Sequence, residues 1–146
     1  MATYSTKPYD LGKRFAALEY FVLFHEVGHA LVDQWDLPVL GREEDAVDAF
    51  STIFMTDLVK QGDFAYEGAK FFYFIASAKV ADVDFADEHS LDKQRAYSIA
   101  CWVYGADARK YAYIGKVLPA SRRVRCADEY RQLKKAWYLL LKPHLR

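Results

Sequence analysis

The 146-residue chain has no charge imbalance, with 20 Lys and Arg against 20 Asp and Glu. That removes the electrostatic reason to expect nucleic acid or an anionic membrane as a partner. Cysteine is scarce. Cys101 and Cys126 are too few for a disulfide framework, and their spacing is neither a zinc ribbon nor a redox C-x-x-C. They can form one disulfide or remain two buried thiols. No run of about 18 uncharged apolar residues exists, which argues against a transmembrane segment. The longest apolar stretches, Tyr20–Phe24 and Phe71–Ala76, are short and flanked by charge. The opening Met-Ala-Thr-Tyr-Ser-Thr-Lys-Pro lacks the basic-then-apolar layout of a signal peptide. The expected location is cytoplasmic, or secreted or periplasmic if a leader has been removed. Internal repeats, low-complexity tracts and clearly alternating strands are also missing.

What is present is apolar and aromatic: 53% hydrophobic and 16% aromatic residues, enough for a packed core. The length fits one domain spanning residues 1–146, although oligomeric state is not readable. The patterning is helical. A first helix is expected from Asp10, as N-cap, to Gln34, with Phe15, Leu18, Val22, Phe24, Val27, Ala30 and Leu31 recurring every three or four residues. Leu37-Pro38 ends it. A second is expected from Arg42 to Lys60, with Gly62 as C-cap and Asp63 as the next N-cap. A third, from Phe64 to about Val80, is apolar nearly all round through Phe71–Ile75 and should be the central buried helix. An acidic connection, Asp82–Glu88, precedes a helix capped by Ser90 and ending near Gly105. Asp107 caps a short helix. The last begins at Pro119–Ser121 and docks through Cys126, Tyr130, Leu133, Trp137 and Leu140.

His25-Glu26-Val27-Gly28-His29 lies inside the first helix. Residues four apart share a helix face, so the two imidazoles can bind one zinc. Glu26, rotated by about 100° from His25, can sit beside the metal and take a proton from water. Gly28 leaves room for backbone to approach beside the metal. A third ligand is still required. The candidates follow the Leu37–Gly41 turn, where Glu44 and Asp48 stand one helical turn apart. Glu44 would bind zinc. Asp48 would accept a hydrogen bond from the outer nitrogen of a ligand histidine. Glu43 or Asp45 would replace Glu44 if the helix register shifts by one.

These runs, with Glu88-His-Ser-Leu-Asp-Lys-Gln-Arg95, Cys101-Trp-Val-Tyr-Gly105 and Cys126-Ala-Asp-Glu-Tyr130, resemble a bacterial metallopeptidase-type family long classified as a domain of unknown function. The site is similar to that of the gluzincins, the thermolysin-like zinc peptidases. The resemblance covers most of the chain. It implies zinc on His25, His29 and Glu44 with Glu26 as base, acting on a peptide or protein substrate. The expected fold is therefore mainly α, a helical zincin-like domain with little or no sheet. Zincins usually place a small sheet before the metal helix, and only Ala2–Thr6 could be extended here.

His89, on a loop before a helix, could donate to the oxyanion of a tetrahedral intermediate, or be an ordinary solvated histidine. Arg95 is a rival for that role, or else an ion-pair partner of Asp92 or another acid. Tyr97, Tyr104, Tyr111 and Tyr113 could supply a hydroxyl, though most tyrosines pack. His144 reads as a solvated residue near the C-terminus. Two other functional classes stay open: a zinc-binding scaffold without hydrolysis, and a zinc amidohydrolase of small substrates.

Overall fold

The computed structural model describes residues 8–76 and 81–145. Ala2–Thr6 and the expected end of the third helix near Val80 lie outside the described residues. Among the described residues seven α-helices run in order: α1 Pro8–Gln34, α2 Glu43–Ile53, α3 Gly62–Ile75, α4 Asp82–Ala86, α5 Asp92–Ala106, α6 Ala112–Gly115 and α7 Ala120–Leu141. There is no strand among the described residues, so the fold is mainly α.

The described part of helix α1 begins at Pro8, so Asp10 lies within the helix and is not its cap. The helix stops as expected. Asp36 takes a left-handed φ of 49°, and the Leu37 N–H returns to Val32 O at 3.0 Å, a Schellman-type ending. The buried side of α1 is Ala17, Phe21, His25 and Gly28, while Phe15 and Val22 are exposed. The helix is apolar on most sides, so periodicity could not choose the face. Small residues decided it, because they let α2 and α3 come close. By length and composition Asp10–Gln34 would suit a membrane span, at mean hydropathy 1.3. Here its inner face is part of the core.

Helix α2 begins after Arg42 and ends earlier than expected, widening at Phe54 into a π-helical turn through Leu58. Thr56 and Asp57 on that turn both bond the Tyr130 hydroxyl, at 2.6 and 3.0 Å, tying it to α7. Lys60, at φ 60°, closes the segment. Gly62 is therefore the first residue of α3, where a C-cap was expected.

The expectation that Phe71–Ile75 forms the central buried helix is overturned. Phe74 is 74% exposed, and α3 packs through Ala65, Tyr66, Gly68 and Ala69 instead. The central helix is α5, with Arg95, Ala96 and Ile99 to Val103 buried and α2, α3, α6 and α7 packed around it. The acidic connection contains α4, and Leu91 is the cap position of α5. The Ser90 hydroxyl donates to Asp45 at 2.8 Å, so it is not the cap. Asp107 accepts from the Arg109 and Lys110 N–H groups ahead of α6. On α7 the expected stripe faces inward: Cys126, Tyr130 and Trp137 are buried, and Leu133 and Leu140 partly so. A Cβ on Gly105 would lie 2.2 Å from Cys126 O, so the two backbones nearly touch. A disulfide joins Cys101 and Cys126 at this crossing.

Candidate metal centre

The second half of α1 lies against the N-terminal half of α2. Glu43, Glu44 and Asp45 are consecutive, so a helix sends them in directions about 100° apart. Each meets a different partner. Glu43 Oε1 accepts from His29 Nδ1 at 2.7 Å. Asp45 accepts from Ser90. Glu44 projects between the histidines, with Oε2 3.2 Å from His25 Nε2 and Oε1 3.2 Å from His29 Nε2. One turn on, Asp48 Oδ1 accepts from His25 Nδ1 at 2.9 Å. His89, on the loop before α5, completes the pattern: its Nδ1 meets Asp87 at 2.8 Å, and its Nε2 lies 3.4 Å from Glu44 Oε2. Three imidazoles thus each have Nδ1 on a private carboxylate and Nε2 turned to one shared carboxylate. Among the described residues, His25, His29 and Glu44 offer ligand atoms within 4.8 Å of one another.

A family model described as "Putative metallopeptidase" matches residues 2–141. The chain belongs to this family. No curated protein and no solved structure matches the chain.

Whether a metallopeptidase's metal suits these residues can be tested on their hydrogen bonds. An ionised carboxylate only accepts, so a neutral His25 held by Asp48 carries its proton on Nδ1 and a lone pair on Nε2. The same holds for His29 on Glu43. Those lone pairs face the acceptor oxygens of Glu44. Glu44 Oε2 is buried and has no hydrogen-bond partner, an arrangement that costs free energy unless a cation or a proton lies between. Two imidazole nitrogens and one carboxylate are a zinc-type donor set, with the outer nitrogens held as metal-binding histidines require. The residues fit the group.

Electrostatics point the same way. Burial works to lower the pKa of His29, but its hydrogen bond to Glu43 and the charges of Glu44, Glu43 and Glu26 outweigh it and hold the imidazole above its ordinary value. The site attracts positive charge. Glu26 is exposed on α1 beside the two histidines.

The remaining candidates separate clearly. Arg95 does not pair with Asp92. It is buried, and its Nε and Nη2 bond both oxygens of Asp48 at 2.8 and 2.9 Å. Gly28 lets α2 come close: a Cβ there would lie 2.9 Å from the Val47 side chain, so it sets how closely α1 and α2 approach. The Tyr111 hydroxyl accepts from the Gly62 N–H and the Tyr113 hydroxyl donates to Asp63, while the Tyr97 ring packs edge-on against Tyr73. His144 is exposed but stacks on Trp35, with 4.4 Å between ring centroids. The Glu43 contact escaped sequence reasoning, which weighed Glu43 only as a substitute ligand; its one readable signal was its place beside Glu44 after the turn.

A cavity of about 460 Å³ opens beside His89 and Arg95, lined also by Phe72, Leu91 and Asp92. A larger one, about 600 Å³ between Ser90, Tyr97 and Arg122, is lined also by Asp45, and neither cavity is lined by His25, His29 or Glu44.

Proposed function

We propose that this chain is a zinc-dependent peptidase of gluzincin type, with His25, His29 and Glu44 as ligands and Glu26 as general base. The observation that carries this reading is the Glu44 carboxylate, with Oε2 buried and without a hydrogen bond between His25 Nε2 and His89 Nε2, and Oε1 facing His29 Nε2. Zinc held there would supply Lewis acidity toward the scissile carbonyl and toward water. Glu26, adjacent in sequence and solvent-accessible, takes the proton from the attacking water and returns it to the leaving amine. His89, with Nδ1–H on Asp87, would offer an Nε2–H to the developing oxyanion as an imidazolium. Asp48 and Glu43 keep the ligand imidazoles in the Nδ1–H tautomer.

The Cys101–Cys126 disulfide supports action in an oxidising compartment, outside the reducing cytosol. Peptides or proteins are the substrate class.

The test is Glu26→Gln. It should keep the fold and about one zinc per chain, as a three-ligand site does, and lose cleavage of a peptide library that the parent digests. Undiminished cleavage by the variant removes Glu26 as base. If the parent binds zinc and digests neither peptides nor small amides, it is a zinc-binding scaffold. Cleavage of small amides alone makes it an amidohydrolase.

A further inference from the structure

Asp48 is 1% exposed and uses both oxygens. Oδ2 accepts from Arg95 Nε at 2.8 Å, and Oδ1 accepts from both Arg95 Nη2 and His25 Nδ1 at 2.9 Å. The terminal torsion of an aspartate is soft. A carboxylate held by one imidazole alone could rotate about it. A planar guanidinium bonding both oxygens fixes its plane. The guanidinium is fixed in turn, 8% exposed and lying 3.9 Å over the Phe72 ring. Its Nη2 also lies 3.9 Å from Glu44 Oε2, the oxygen facing His25 Nε2. The series Phe72, Arg95, Asp48, His25 thus crosses α3, α5, α2 and α1 and ends on the imidazole.

We propose that Arg95 is a positioning residue for the metal centre: by clamping Asp48 it fixes the plane and tautomer in which His25 presents Nε2. Its Nε and Nη2 are committed to Asp48, and it serves the site through that carboxylate. The proposal rests on the metal-centre reading. It also makes a claim about His25 that holds without metal, which keeps its failure separate from a failure of that reading. Lysine cannot replace the fork, since an ammonium offers no planar pair of donors.

The experiment compares the full chain with Arg95→Met, Arg95→Lys, Asp48→Asn and Asp48→Asn/Arg95→Met. Nitrogen-15 NMR of the metal-free proteins, above the imidazole titration range, reads the His25 tautomer. Zinc competition reads affinity. The parent should show His25 as Nδ1–H. Arg95→Met should lose that signature and bind zinc about 10–100-fold more weakly. Adding Arg95→Met to Asp48→Asn should change affinity by no more than about twofold, the scatter expected when nothing further is removed. If Arg95→Met cannot be purified folded, Arg95→Lys decides: a lost tautomer signature with melting near the parent's supports the proposal. An unchanged Nδ1–H signature and parental zinc affinity in either single variant of Arg95 overturn it. So does a double variant that loses affinity well beyond Asp48→Asn. A parent that binds no zinc sinks the metal-centre reading, while the tautomer still decides the role of Arg95.

Discussion

Glu43 Oε1 accepts a hydrogen bond from His29 Nδ1 at 2.7 Å, immediately before the residue whose carboxylate stands between the two imidazoles. Its counterpart is Asp48 on His25. The two supports differ in environment: Asp48 is buried, whereas the Glu43 side chain is 45% exposed.

That difference orders a set of variants. Glu44→Ala should abolish stoichiometric zinc. Asp48→Asn should retain zinc at saturation with affinity reduced about 10–100-fold. Glu43→Gln should cost less than Asp48→Asn, because water can replace an exposed partner. Zinc competition titrations on the three proteins check the order. Metal lost in Glu43→Ala and kept in Glu44→Ala would make Glu43 the ligand.

Acidification should release the metal. Ligand imidazoles must be neutral to bind, so protons compete. The pKa of His29 is raised in the metal-free protein, so competition should begin at a pH above the ordinary imidazole value and deepen as pH falls. For the metal-free fold the sign is opposite. A raised folded value favours the charged form, so the contribution to stability is full below the unfolded value and is lost as pH rises through the folded one. Zinc affinity and metal-free denaturation, both measured against pH, should therefore trend in opposite directions.

Gly28→Ala should weaken the site without touching a ligand. The new methyl would meet Val47 Cβ and Cγ1 at 2.9 Å and Phe50 at 3.2 Å, and overpacking of this kind costs about 1–3 kcal/mol. It should also push α2 from α1 and lower zinc affinity. Gly28→Ala/Val47→Ala, which makes room for the methyl, should recover part of both losses in paired denaturation and zinc titrations. No recovery would mean that Gly28 matters for another reason.

Removing the disulfide should destabilise the fold and spare the site. The bond closes a 25-residue separation between α5 and α7, for which loop-closure entropy predicts about 3.5 kcal/mol. Cys101→Ala/Cys126→Ala should unfold at lower denaturant and, where still folded, bind zinc as the parent does. Denaturation with and without reductant, alongside metal analysis, reads both quantities.

The local features were legible because they depend on geometry within one helix. His25 and His29 share a face at a spacing of four, wherever the helix is packed. The Leu37-Pro38 stop follows from proline's backbone, and the α7 stripe from a single apolar face on an otherwise charged helix. The breadth of the resemblance was equally readable, since the matching runs are spread along most of the chain.

Everything that required choosing between equal faces was left to tertiary structure. Helix α1 is apolar on most sides, and only the docking of α2 and α3 selected Ala17, Phe21, His25 and Gly28 over Phe15 and Val22. Phe71–Ile75 looked like core by composition, yet α3 buries its small residues instead. Which of Glu43, Glu44 and Asp45 lies between the histidines depends on the rotation of α2, and propensity does not encode rotation. Arg95 stands 47 positions from Asp48. No local period links residues that far apart, and only the packing of α5 against α2 makes them partners.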